Sequence, residues 1–228
     1  MNHAVYLKLS DTTYQRFEAI RHNLNAGVKE SQSRALGDVL SEVACEVINQ
    51  AFGELLQKQR QNSVSNGNAA MLAESEKAIQ QILDTLRKYM PWSVSFFGNE
   101  RLLPLANYLH QSIRQDSQQQ VYLSYAVDDA TTQHAISTAA KVRDGQMGEV
   151  ATSFKNLTQI VDMGVTALIR EPKKMLKFNL VVDKTLNGVI NMTTHMGYKR
   201  LEKLGGQLNQ ATANDYIEHF MTFLRPAP

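Results

Sequence analysis

The prolines of this chain stand at Pro91, Pro104, Pro172, Pro226 and Pro228, and they leave long intervals in which apolar residues recur every three or four positions. Proline removes a backbone donor and clashes inside a helix, so intervals without it admit extended helices. The spacing predicts an all-α fold, a multi-helix bundle of about seven or eight helices, with a short N-terminal strand or extended arm as the one exception.

The most regular segment is 147–168, where Met147, Val150, Phe154, Leu157, Val161, Gly164 and Leu168 form one narrow stripe suited to packing on another helix. Gly164 within it predicts a close crossing, because the missing side chain lets a neighbouring backbone approach. A second long helix is expected over 33–60, with Leu36, Leu40, Val43, Val47 and Ala51 on one line. A third is expected over 69–90, with Pro91 ending it and 91–98 forming an apolar connection. A shorter helix follows from Asn99, and 117–142 shows a poorer helical pattern closed by Asp144-Gly145. Pro172 is expected to open a helix that runs to about residue 204 and stops at a left-handed Gly205-Gly206 cap. A last helix spans 210–224, with Pro226 after it. The polar run 63–68, which contains Asn-Gly, has the composition of a turn. It separates an N-terminal unit, 1–62, from a body, 69–228, and the two can also form one domain.

Residues 4–9 break the helical period, since Val5, Leu7 and Leu9 alternate with Ala4, Tyr6 and Lys8 as in a half-buried strand. A lone strand needs a partner, and the rest of the chain offers no clear one. Pairing with the same strand of a second copy is an available solution, the plainer one being an extended arm or first helical turn over 5–9 docked on the bundle, and the strand and the 147–168 stripe together point to a homodimer. Ser10 and Asp11 offer caps for a helix through Tyr14, Phe17, Ile20 and Leu24, Gly27 follows, and the 33–60 helix comes next. Strand, helix, turn and helix in this order, over about the first quarter of the chain, is similar to the ribbon-helix-helix DNA-binding proteins. The resemblance implies that Ala4, Tyr6 and Lys8 face a DNA groove while the two helices build the dimer. Against it, 1–62 holds seven basic and seven acidic side chains, whereas phosphate neutralisation dominates DNA affinity.

Composition narrows the function. With 24 Lys+Arg against 22 Asp+Glu, the net charge of +2 does not make the whole surface a binder of polyanions, so such a partner needs a local patch. The single cysteine, Cys45, leaves no intrachain disulfide and no cysteine-rich zinc site, as in a protein of the cytoplasm. The first ten residues lack a basic segment followed by an apolar one, so no secretory signal is expected. The uncharged stretch 185–198 is shorter than the ~20 apolar residues of a membrane span and contains Asn, His and Thr.

Catalytic signatures are scarce. The histidines at 3, 22, 110, 134, 195 and 219 form no His-Glu-x-x-His or Glu-x-x-His pair. Asp215 and His219 share a helix face, but two ligands are too few for a metal. Cys45 lies in an apolar stretch where thiols are inert. No nucleophile elbow, dinucleotide turn or P-loop occurs, and Asp128-Asp129 are adjacent positions whose carboxylates diverge on a helix. No cofactor and no metal are expected.

Three groups remain as candidate binding residues. Trp92, Phe96 and Phe97 in the 91–98 connection are costly to expose and serve as a docking surface or ligand wall if they do not fill the bundle. Arg170, Lys173, Lys174 and Lys177 crowd a helix start, where cations oppose the macrodipole and call for an anionic ligand, an acidic partner or nearby carboxylates. His195 and Lys199 share a helix face four residues apart. The leading expectation is a non-catalytic cytoplasmic protein that works by association with another macromolecule or itself. One alternative is a DNA-binding regulator using Tyr6 and Lys8, and the other is a helical carrier or sensor of an apolar or anionic small molecule.

Overall fold

The computed structural model of the protein describes residues 2–62 and 69–227, and the expected turn at 63–68 lies outside the described residues. The fold is mostly helical, with a small four-stranded sheet. Strand β1 (His3–Lys8) is followed by α1 (Asp11–Asn25) and α2 (Ser33–Ile48). A single π turn, Asn49–Gly53, carries α2 into α3 (Glu54–Asn62). Helices α4 (Ala69–Val94) and α5 (Asn99–His110) lead to a hairpin, β2 (Ile113–Gln115) and β3 (Val121–Val127). The chain continues through α6 (Asp129–Arg143), α7 (Val150–Val165), α8 (Glu171–Leu176), α9 (Leu180–Gly205), α10 (Gln210–Met221) and β4 (Leu224–Pro226). Among the described residues no helix is long and apolar enough to cross a membrane.

The strand order is β2-β3-β1-β4 with every neighbouring pair antiparallel, a doubled split βαβ arrangement. Residues 4–9 do supply a strand, but its partners lie in the same chain. Along its length β1 pairs with β3, and His3, Ala4 and Val5 pair with β4 on the other side. Beyond β4, the Tyr6 amide donates to Phe223 O and the Lys8 amide to Gln50 Oε1. Both edges of β1 are thus occupied, which removes the pairing with a second copy that the ribbon-helix-helix resemblance requires. The 147–168 stripe is also consumed internally, since Val150, Phe154 and Leu157 are buried in a core with Leu201, Leu204 and Ile217. Neither feature remains as an argument for a homodimer.

Several boundaries differ from the sequence reading for local physical reasons. The 117–142 segment is not one helix: Val121, Leu123, Tyr125 and Val127 alternate toward the core as β3, and Asp128 then caps α6 by accepting from the Thr131 amide. Pro91 does not end α4, which continues to Val94 because the last turn is held against α2. At that crossing Gly37 has no side chain, and a Cβ there would stand 2.6 Å from Pro91 Cα. Gly164 is a close approach of another kind, to the ring of Tyr125 rather than to a helix. The helix opened near Pro172 breaks at Lys177, which is left-handed at φ 48°, and restarts when the Asn179 side chain accepts from the Val182 amide. Gly206 closes α9 at φ −90°, not in the left-handed region. Pro226 lies inside β4 rather than after a helix.

One face of the sheet is covered by helices. Val5, Leu7 and Val127 pack with Ala135 and Ile160, and Leu9, Val121 and Leu123 meet Tyr14, Val43 and Leu168. The opposite face carries Tyr6, Lys8, Arg114, Tyr122 and Arg225, none of them buried. Helices α4 and α9 run antiparallel across the molecule: Arg200 pairs with Glu74 at 2.7 Å near one end, and the Phe97 and Phe178 rings meet at 4.9 Å at the other.

Candidate ligand cavity

Between the covered face of the sheet and the α2, α4, α7 and α9 layer lies a cavity of about 290 Å³. Val5, Leu7, Leu123 and Tyr125 of the sheet form its floor with Leu9 just after β1, and Leu40, Val43 and Val47 of α2 form one wall. Leu86, Tyr89 and Met90 of α4, Val161 and Val165 of α7, and Val189 and Ile190 of α9 complete it. The wall is almost wholly apolar. Its cause is visible in the α2 stripe: Leu36 and Val39 are fully buried against α4 and α5, whereas Val43 and Val47, on the same helix, remain half-buried because they face open space.

The polar atoms of the wall are mostly satisfied within their own helices. The hydroxyls of Thr85, Ser93 and Thr194 donate to Gln81 O, Met90 O and Ile190 O. Thr193 Oγ1 is buried and has no partner among the described residues. Lys173 is the one charged residue of the described lining, and its ammonium is taken by the Asp183 carboxylate, which also accepts from Asn187 at 2.8 Å. Tyr125 is half-buried with its ring against Gly164, and desolvation pushes its phenol far above the ordinary tyrosine range.

The basic cluster is answered by carboxylates rather than left open to a ligand. Arg170 donates to Asp162 at 2.7 Å, and Lys174 pairs with Glu171. Tyr198 also donates to Asp162, at 2.8 Å, and burial followed by that bond raises its pKa. Lys177 is exposed at the α8–α9 break. His195 and Lys199 are exposed on α9 and take no part in the cavity lining, while their neighbour Arg200 turns inward to Ser75 and Glu74. Phe97 is buried in a core with Leu176 and Phe178, Trp92 is half-buried, and Phe96 is 50% exposed. Of the nine candidate ligand or partner residues, Lys173 alone stands in the cavity wall. The residues that form the wall were legible only as core stripe, since periodicity gives a side chain's direction but not whether anything meets it.

Tyr6 and Lys8 come together with residues no sequence signal linked to them. The Tyr6 and Tyr122 rings meet edge to face at 6.1 Å, and the Arg225 guanidinium lies over both, at 5.9 and 5.3 Å. Lys8 and Arg114 flank Tyr122 in register on either side, and Asp116 accepts from the Tyr122 hydroxyl at 3.3 Å.

Other chemistry is sparse. Asp215 and His219 do not face a common ligand: Asp215 accepts from Gln59, and His219 Nε2 lies 3.0 Å from Gln50 O. Burial pushes the Cys45 thiol up. Among the described residues no three His, Cys, Asp or Glu side chains gather as a metal site. No protein-family model, curated protein or solved structure matches the chain.

Proposed function

We propose that the protein is a carrier or sensor of an apolar small molecule held in the cavity between the sheet and the helices. The observation that carries this reading is the cavity itself, an apolar space of about 290 Å³, the lower size of small-molecule sites. The wall selects the ligand class. An apolar body such as an acyl chain or a polycyclic hydrocarbon skeleton suits it, with one hydrogen-bonding group to meet Thr193 Oγ1. A strongly anionic metabolite does not suit it, because Lys173 already belongs to Asp183.

Native mass spectrometry of freshly purified protein, followed by thermal unfolding with fatty acids, fatty alcohols and phosphorylated metabolites, tests the reading. A ligand at about a hundred times its Kd adds about 2.7 kcal/mol, which raises Tm by about 5 °C or more. A retained apolar mass, or such a rise with the apolar panel alone, supports the carrier. An unchanged Tm across the panel with no retained mass sinks it.

A second reading rests on the outer face of the sheet. Two tyrosines on the central strands, with Lys8, Arg114 and Arg225 around them, suit stacking and neutralisation of a single-stranded nucleic acid better than insertion into duplex DNA. Fluorescence anisotropy with oligo(U) and oligo(dT) across a salt series tests it. Absence of binding at 50 mM salt, or binding unchanged in Tyr6→Ala, ends that reading.

A further inference from the structure

Four of the large apolar side chains that face water lie on two segments that meet. Leu180 is 70% exposed, Val181 74%, Phe96 50% and Met175 40%. Phe96 follows α4, Met175 belongs to α8, and Leu180 and Val181 open α9. The contact between Phe97 and Phe178 brings these segments to one end of the molecule. Leu180 and Val181 are not frayed chain: the Asn179 side chain caps the helix by accepting from Val182 N at 3.0 Å, and Val182 itself is buried. A rigid helix start that presents two adjacent aliphatic side chains to water calls for a partner.

The charge around this end indicates which partner. Glu171 and Asp183 are each held by a lysine of the same segment, Lys174 and Lys173. Lys177 and Lys184 are exposed and join no ion pair among the described residues. The α8–α9 junction is therefore apolar at its tip, with Lys177 and Lys184 beside it and Glu171 and Asp183 neutralised, while at the neighbouring start of α5 the exposed Glu30 and Glu100 stand beside the exposed Lys29 and Arg101. This is the pattern of a surface that seats apolar side chains at the acyl boundary while lysines meet anionic headgroups.

We propose that this end, formed by Phe96, Met175, Leu180 and Val181 with Lys177 and Lys184, docks the protein on the surface of anionic membranes. The same elements line the cavity, through Met90 and Val94 of α4, Leu176 of α8 and Leu186 of α9. Docking brings the cavity next to a source of apolar molecules, a consequence that rests on the carrier reading although the docking itself does not.

The chain's single tryptophan, Trp92, packs edge-on against Phe96 at 5.0 Å and reports directly on the event. The test is co-flotation of the full chain with vesicles of phosphatidylcholine alone and of phosphatidylcholine with phosphatidylglycerol at about 3:1, with Trp92 emission read in parallel. Binding to the anionic vesicles with a blue shift of Trp92 is expected. Leu180→Ser/Val181→Ser is expected to abolish both signals, and Lys177→Glu/Lys184→Glu to weaken binding at least about tenfold. The substitutions lie at exposed positions, and an unchanged unfolding curve identifies folded variants. The Val43→Phe variant, which fills the cavity, still docks if the surface acts alone, so failure of the carrier reading and failure of docking give different results. No flotation of the intact protein overturns the proposal, as does equal binding to neutral vesicles that survives Lys177→Glu/Lys184→Glu. A dimer in sedimentation equilibrium that Leu180→Ser/Val181→Ser dissociates overturns it in favour of a second copy.

Discussion

Filling the cavity separates an interior built around a guest from an ordinary core. Val43 of α2 and Val189 of α9 both line it and both are half-buried. Val→Phe adds four carbons, which at about 0.8 kcal/mol each sets a ceiling of about 3 kcal/mol. Lost side-chain freedom and partial misfit reduce the expected stabilisation to about 1–2 kcal/mol per site. In a chain of this size that raises Tm of the ligand-free protein by about 2–8 °C. Binding of a fluorescent fatty-acid probe should weaken in the same variants, so stability and affinity move in opposite directions. Urea unfolding with probe titration on Val43→Phe, Val189→Phe and the double variant measures both. In a close-packed interior the same substitutions destabilise by about 1–3 kcal/mol through overpacking. Loss of stability with probe binding unchanged would refute the reasoning.

Gly37→Ala gains about 1 kcal/mol of helix propensity in principle, but its Cβ would meet Pro91 Cα at 2.6 Å and Val94 at 2.8 Å. Net destabilisation by about 1–3 kcal/mol in urea unfolding is expected, and a more stable variant would contradict the crossing. The Tyr216 hydroxyl is buried without a partner among the described residues, so Tyr216→Phe should leave stability unchanged or raise it. Burial pushes that phenol up to about 12, above its unfolded value near 10. Its contribution is complete below pH ~10 and lost as pH rises through the folded value, so Tyr216→Phe should flatten the alkaline limb of a stability profile. Burial works against ionisation of Glu18, yet hydrogen bonds from Arg21 and His110 hold its carboxyl below the usual range. A depressed carboxyl stabilises above its unfolded pKa of about 4.3 and loses that contribution as pH falls. Glu18→Gln should therefore reduce the acid dependence of Tm, and an unchanged acid limb would remove this pair from the account.

Much of the helical framework was legible in the residues. Ser10 caps α1 as its position suggested, with its hydroxyl accepting from the Thr13 amide. What no capping rule supplied is Glu46, whose carboxylate reaches from α2 to accept from the Ser10 amide at 3.0 Å and the Ser10 hydroxyl at 2.7 Å. Asn99 reads as a cap, yet Gly98 holds that place and the Asn99 amide bridges to Val28 O and Glu30 O, tying α5 to the turn before α2. The strand β3 was missed, because the alternation of Val121, Leu123, Tyr125 and Val127 is masked by the equally apolar Tyr122 and Ala126 and runs into the Ala, Thr and Ser of α6, so that 117–142 reads as one poor helix.

Local chemistry by itself determined the helices, their faces and the strand character of residues 4–9, because propensity, capping and side-chain period act over a few residues. The tertiary structure alone decided who pairs with whom. It placed β3 and β4 on either side of β1, where sequence offered a second copy or a docked arm, since strand partners more than a hundred residues apart leave no local mark. It also decided that Leu36 is packed and Val43 faces a void on the same stripe. Periodicity states which way a side chain points, whereas filling depends on the distance to the opposite wall, and that distance is set by every element between them.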